Sequence, residues 1–412
     1  MNIYIFIIPF ILFFEYLLSF IVRTLNLMAL DPKLPEEFKD TFDSDKYIKS
    51  QEYTRTNSKF SYVTSTFSLL ITLIFIYGGI YNIIDQWLIG FLENKIIIGL
   101  LFFGLLTLIT DIISLPFSIY STFVIEEKFG FNKTTYATFF FDKIKGYFLM
   151  IIIGAPVLSV ILYFFETFPK EYSWIYAWAL ITIFSLIMQP IFNILIAPMF
   201  NKFTPMPEGP LLDKIKNYLQ KVNFPVKKLE VMDGSKRSSH SNAYFSGLGK
   251  NKRIALFDTL LEQMDDDEIV AVIAHEVGHY KLKHIHSGII LSAIQSGIMF
   301  YILSLFLMDE MLFQAFYMDN ISVYASLLFF STLYTPISML VGFLFSYISR
   351  KNEFAADAFS AKTSKLPDSL ISGLKKMSKE NLSNLTPHWL NVMLNYSHPP
   401  VIDRIIALRK FK

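Results

Sequence analysis

The sequence predicts an all-α polytopic membrane protein. It has about seven transmembrane helices, with a small β-hairpin and metal-binding helices on one side of the bilayer. Three observations carry this. Hydrophobic residues make up 53% of the 412 residues, with 42 phenylalanines among them, which is membrane-protein composition. Seven stretches reach the roughly 20 apolar residues that a bilayer core demands of a helix. Between the fifth and sixth of these lies HEVGH (275–279), a pair of histidines spaced for one helical face.

The seven stretches are 3–22, 62–84, 96–119, 147–168, 174–197, 287–308 and 322–348. The first lacks a basic lead and a small-x-small cleavage site and contains Glu15, so it reads as a retained anchor and not a signal peptide. Basic residues sort by loop. Arg23, Lys33, Lys39, Lys46, Lys49, Arg55 and Lys59 follow the first span, and Lys128, Lys133, Lys143 and Lys145 follow the third. The alternate loops carry Lys95, Lys170 and, over 309–321, no lysine or arginine. The positive-inside rule then puts the N-terminus outside, and the 198–286 segment and the tail from Arg350 in the cytoplasm.

The chain accordingly divides into residues 1–197 with five spans, a 198–286 loop, two further spans over 287–348, and a 349–412 tail. Pro198, Pro205, Pro207 and Pro210 mark the first boundary. Within the loop, LEVMD (229–233), SNAYFS (241–246) and RIALF (253–257) are β-type runs, the last two joined through Gly247-Leu248-Gly249 as a hairpin. A helix follows. Asp265, Asp266 and Asp267 suit the positive end of its dipole, and IVAVIA leads into HEVGH.

On a helix, His275 and His279 offer imidazole nitrogens to one metal ion, and Glu276 sits beside the open position. With no cysteine in the chain, a zinc site must use histidines and carboxylates. Glu353, in SRKNEFAADAF just past the last span, is the third ligand this predicts, for one Zn²⁺ per chain. Asp357 lies four residues on and can accept a hydrogen bond from a ligating histidine. Glu276 is placed to act as general base on a zinc-activated water, which is metalloprotease geometry; its competing role is a salt bridge to Lys281 or Lys283. Asn242 could donate to a transition-state oxyanion or be a turn residue, and His398 could donate or be a surface histidine. His286, seven residues after His279, reads as interfacial and not as a spare ligand. His240 and His388 lack metal spacing. Glu15 and Asp111 inside spans point to a polar bundle interior. The formal charge of +2 offers nothing for nucleic acid, so the partners predicted are the bilayer and peptide or protein substrates.

The stretches FVIEEKFGFNKTT (123–135), IAPMFNKFTPMPEG (196–209), RSSHSNAYFSG (237–247), NKRIALFDTLL (251–261), HEVGH, SRKNEFAADAF (349–359) and YSHPPVIDRI (396–405) together resemble the type I CAAX prenyl protease family, multispanning zinc metalloproteases of the Ste type. The resemblance implies seven helices around a water-filled chamber. It implies His275, His279 and Glu353 as ligands and Glu276 as the catalytic glutamate. Asn242 and His398 become contacts to substrate backbone or transition state, and Arg404 becomes a partner within the site. It also implies a substrate strand adding to the SNAYFS edge. Eukaryotic members cleave near the C-terminus of isoprenylated CAAX proteins; for bacterial members the clearance of damaged membrane proteins is expected instead. The compact GLGKNKRIALFDTLL stretch and the short link between the last two spans favour a bacterial cell membrane over the ER membrane. Two rivals are weighed against this. A shorter membrane protease would not need five spans ahead of HEVGH, and a non-catalytic zinc-containing scaffold or transporter would be indifferent to loss of Glu276.

Overall fold

The computed structural model describes residues 2–246 and 252–411. Seven helices in it are long and apolar enough to cross a membrane: α1 (Tyr4–Met28), α2 (Ser44–Tyr77), α3 (Lys95–Phe129), α4 (Tyr136–Thr167), α5 (Lys170–Phe200), α8 (His284–Phe306) and α9 (Val323–Ser364). Between α5 and α8 lie β1 (Phe203–Pro205), α6 (Pro210–Lys221), β2 (Lys228–Met232), β3 (Ala243–Ser246), β4 (Arg253–Phe257) and α7 (Asp266–Lys281). After α9 come α10 (Pro367–Glu380), α11 (Trp389–Asn395) and α12 (Val401–Leu408).

The seven spans overlap the stretches the sequence marks, several of them extending beyond by ten residues or more, and two differences change the reading. The expected second span, 62–84, crosses a break. α2 ends at Tyr77, and Gly79, with φ 65°, turns the chain into a separate short helix, Ile80–Ile89. Only glycine takes that conformation at little cost. At the other end, the helix bearing Glu353 does not begin after the last span. It is the last span, continued without interruption to Ser364 as a single helix of 42 residues. At 1.5 Å per residue that is ~63 Å, about twice the hydrocarbon thickness, so α9 carries the rigidity of the bundle out into the aqueous site.

Two of the prolines within spans are accommodated by local widening. Pro156 and Pro198 lack an amide for the carbonyls of Ile152 and Ile194, and both carbonyls fall within π-helical stretches, 150–154 and 192–196. The bundle interior is polar, as Glu15 and Asp111 indicate. A cavity of about 700 Å³ is lined by Ser61, Ser65, Thr107, Thr110 and Asp111 among others, with Asp111 held by Lys143 at 2.6 Å and by Tyr147. A second, of about 530 Å³, is lined by Glu15, Asn26, Asn391 and Asn395. Arg23 borders both.

The expected hairpin is present, and it is part of a larger sheet. β3 and β4 pair antiparallel, β4 pairs parallel with β2, and β2 pairs antiparallel with β1, giving the order β1-β2-β4-β3. Its Gly247-Leu248-Gly249 connection lies outside the described residues. β3 is therefore an edge strand. A core separate from that of the bundle packs α7 against α6, α10, α12 and the sheet, with Ile254, Leu260, Ile273, Val277 and Ile405 fully enclosed. This accounts for the apolar run IVAVIA in a helix that does not cross the membrane.

Candidate metal centre

α7 is fixed at its start by a capping box. The Asp265 carboxylate accepts from the amides of Asp267 and Glu268, and Glu268 reaches back to the Asp265 amide at 2.9 Å. Asp265 is thus the cap, and Asp266, Asp267 and Glu268 form the acidic first turn. Two and a half turns later, His275 and His279 face α9. The two helices come close because Gly278 has no side chain: a Cβ there would lie 3.2 Å from Ala356 Cα, Ala356 O and Phe359 Cβ. Ser360 Oγ donates to the Ala271 carbonyl at 2.8 Å and fastens the same crossing.

The crossing brings Glu353 and Asp357, both buried, onto the two histidines. Nε2 of His275 and Nε2 of His279 are 3.1 Å apart. Glu353 lies 3.4 Å from the first through Oε2 and 3.2 Å from the second through Oε1. Two donors each bound to one tetrahedral zinc ion stand ~3.3 Å apart; the two histidines are close to that spacing, each is close to it from one of the two Glu353 oxygens, and with one ligand atom taken from each residue all three lie within 4.8 Å of one another. Among the described residues Glu353 Oε2 is buried with only the long contacts of His275 and Arg404, at 3.4 Å each, and no closer hydrogen bond, and two imidazole nitrogens that face each other need a shared cation or proton between them. The donor set of two histidines and one carboxylate fits Zn²⁺, and the three residues form a group able to hold a metal ion.

Behind the triangle, each histidine has a partner on its other nitrogen. His275 Nδ1 is 2.8 Å from Asp357 Oδ1. Asp357 in turn is gripped by Arg404 of α12, from Nε at 2.8 Å and Nη2 at 2.6 Å, and Arg404 Nη1 reaches Glu353 Oε2 at 3.4 Å. Arg404 is 8% exposed and Asp357 1%, so this bidentate pair is buried, where charge-assisted contacts are strongest and unpaired charge is costly. His279 Nδ1 meets His284 Nδ1 at 3.0 Å, one ring donating to the other. Reading the sequence assigned His284 no role, yet it meets the outer nitrogen of His279 as Asp357 meets that of His275; the i, i+5 spacing across the α7–α8 turn was the available signal. His286 packs edge-on near Tyr280, away from the triangle.

Glu276 is half-buried beside His279 and His284 in a cavity of about 390 Å³ that continues between α8 and α9 past Leu291, Phe345 and Asn352. Among the described residues its carboxylate makes no hydrogen bond or ion pair, and Lys281, the salt-bridge partner considered from sequence, donates to the Asn223 carbonyl at 3.1 Å. Burial, opposed by the His275 and His279 rings, raises the Glu276 carboxyl above its ordinary value. At His275, burial lowers the imidazole, but hydrogen bonds to Asp357 and Glu353 outweigh it and raise the pKa to about 9. The carboxylates thus draw positive charge to this point.

His398 lies over the triangle, with Nε2 3.3 Å from Glu353 Oε1 and its side chain exposed. Asn242 is not brought into contact with it. Its side chain accepts from the Ala243 amide at 2.8 Å, and its carbonyl accepts from Phe257 at 3.1 Å, so it caps the start of the edge strand. Next to it, His240 stacks on Phe131 at 3.9 Å and faces Asn381 Oδ1 at 3.1 Å and Glu126 Oε2 at 3.6 Å, tying that strand to the end of α3. His388 accepts from the Leu390 amide as the N-cap of α11.

Comparison with known proteins places these features in a family. The model for the CAAX prenyl protease N-terminal region of five membrane helices matches residues 24–202, and that of peptidase family M48 matches residues 205–412. The CAAX prenyl protease 1 homolog of Arabidopsis thaliana is 40% identical over 395 residues, covering 94% of this chain and 92% of the relative. That of Homo sapiens is 36% identical, covering 92% of this chain and 89% of the relative. Among solved structures, S. mikatae Ste24p superposes with a TM-score of 0.93 at 32% identity, covering 98% of this chain and 99% of the other.

Proposed function

We propose, for a chain that belongs to peptidase family M48 and is an integral-membrane metalloprotease of the CAAX prenyl protease type, that it is a zinc endopeptidase with Glu276 as general base. The observation that carries this is the cluster of His275, His279 and Glu353, which brings one ligand atom of each within 4.8 Å of the others, with Glu276 beside it making no hydrogen bond or ion pair among the described residues. His275, His279 and Glu353 would hold the ion. Bound there, zinc supplies Lewis-acid polarisation of the scissile carbonyl and makes water acidic enough to attack near neutral pH. Glu276 takes the proton that the attacking water loses and returns it to the leaving amine; its burial raises its proton affinity above that of an ordinary carboxylate, in the direction this role needs. Asp357, oriented by Arg404, holds the His275 ring with Nε2 toward the ion. His398, exposed over Glu353, is placed to donate to the carbonyl oxygen as negative charge develops on it.

The substrate lies along β3. An extended peptide adds to this free edge through backbone hydrogen bonds, with Asn242 at the strand's start meeting the substrate backbone. Recognition through backbone allows many sequences. The substrate classes are isoprenylated CAAX C-termini, as the relatives' names indicate for those proteins, and damaged membrane proteins. The metal site and the tail from Arg350 face the cytoplasm, on the charge bias of the loops, in a bacterial cell membrane, on the short link between α8 and α9. Membership of a peptidase family weighs against the scaffold reading.

Hydrolysis of matched fluorogenic peptides by the detergent-purified protein tests this. One peptide is farnesylated on a CAAX cysteine, the other unmodified, with chelator and Glu276→Gln as controls. Chelator-sensitive cleavage that the variant lacks, while still holding zinc, is expected. Loss of zinc in Glu276→Gln would mean the glutamate is a ligand, and cleavage surviving in it would remove the general base.

A further inference from the structure

The bundle meets the sheet at a second chemically distinct place. Where α5 ends, a cavity of about 810 Å³ opens between Gln189, Asn193 and Ile194 of the helix, Lys202 and Phe203 leading into β1, and Lys227 and Lys228 leading into β2. Its lining holds five cationic side chains, with Lys252 and Arg253 completing the set, against one carboxylate, Glu230. Arg253 and Lys252 are held within the protein. Arg253 pairs with Glu230, lies on the Phe203 ring at 3.8 Å and donates to the Asn193 carbonyl at 2.8 Å, joining sheet to helix. The Lys252 ammonium rests between the rings of Phe224 and Tyr280, at 4.3 and 4.4 Å. Lys202, Lys227 and Lys228 are exposed at the rim, Lys228 only distantly shared with Glu230 at 3.7 Å.

The other side of this cavity is the end of α5, a helix long and apolar enough to cross a membrane. Phe192, Ile194 and Leu195 are each more than half exposed there. The site therefore offers excess positive charge at a membrane boundary and, within one helical turn, an apolar surface reaching into the hydrocarbon. A zwitterionic headgroup brings its own cation and gains little from such a rim, whereas a small soluble anion gains nothing from the apolar part. We propose that this cavity binds an anionic phospholipid, with the headgroup phosphate among Lys202, Lys227 and Lys228 and the acyl chains along Ile194 and Leu195. No member of the metal centre lines it, so the site stands apart from catalysis.

Native mass spectrometry of the full-length detergent-purified protein, titrated with phosphatidylglycerol or phosphatidylcholine, tests this. The wild type should retain phosphatidylglycerol in preference. Replacing Lys202, Lys227 and Lys228 together by Gln should weaken that retention roughly 100-fold, on about fivefold per neutralised lysine. The triple Arg variant should keep it, and a control with Lys33→Gln, Lys216→Gln and Lys236→Gln should behave as wild type. Equal retention of phosphatidylcholine, or equal loss in the control, would overturn the proposal. So would displacement of the lipid by millimolar inorganic phosphate, which would make this a small-anion site.

Discussion

Replacing Gly278 by Ala should weaken metal binding far more than it destabilises the fold. Read along α7 alone, the change is favourable, since alanine gains about 1 kcal/mol over glycine in a helix interior. The crossing with α9 opposes it. The new methyl would sit 3.2 Å from three atoms of Ala356 and Phe359, where carbon contacts rest at about 3.5–4.0 Å. The helices must part by ~0.3 Å or more, and overpacking of this kind costs about 1–3 kcal/mol. The net destabilisation is therefore only ~0–2 kcal/mol, a shift of a few degrees in a thermal melt. The metal site is less forgiving. Gly278 lies between the two histidines on α7, and Ala356 lies between Glu353 and Asp357 on α9, so the displacement falls on the triangle itself. Ligand distances tolerate about 0.2 Å, and disturbance of supporting contacts lowers metal affinity about 10–100-fold. Competition against a fluorescent zinc chelator, run beside thermal unfolding of the purified protein, reads both quantities. A variant with raised Tm and unchanged zinc affinity would refute the idea that this approach of α7 to α9 sets the site.

Other consequences can be checked on the same protein. Glu353→Ala should lose zinc on dialysis, measured by elemental analysis; undiminished zinc would exclude Glu353 as a ligand. Arg404→Met leaves Asp357 buried and uncompensated and should cost about 3–5 kcal/mol, with Asp357→Asn in the same background recovering part of the loss in a denaturant melt; no loss would mean the pair carries no stability. His284→Ala should lower zinc affinity through His279 by about tenfold, while His286→Ala leaves it unchanged, and the reverse ranking would misplace the support. A reporter fused after Lys412 should read as cytoplasmic; an external signal would reverse the orientation derived from loop charge.

Much of the architecture was legible because it rests on local quantities. Apolar length sets the number of spans, and α1 through α5, α8 and α9 fall where such runs occur. The cap of α7 was legible for the same reason, since Asp265 and Glu268 act within one turn. What was missed depends on a neighbour. The break at Gly78–Gly79 hides within a continuous apolar stretch, because a membrane-spanning run and a helix–turn–helix of the same composition look alike. The sheet exceeded the hairpin because FTP at 203–205 is too short to announce a strand until β2 is there to pair with it. His284 was missed because its i, i+5 spacing from His279 is not a helix-face spacing, the contact being made across the α7–α8 turn.

By itself the sequence determined a seven-span helical membrane protein and named the residue types of a two-histidine, one-glutamate metal site, since helical periodicity alone places His275 with His279 and Glu353 with Asp357 on common faces. Only the tertiary structure decided that those two faces meet, through the side-chain-free surface of Gly278, and that Arg404, distant in the chain, closes on Asp357 behind them. It also decided that Glu276 has no hydrogen-bond or ion-pair partner among the described residues while Asn242 stands away at the head of β3. Periodicity fixes where a side chain points from its own helix axis. What it points at is set by the packing of axes, and that depends on volumes and buried charges summed over the whole molecule.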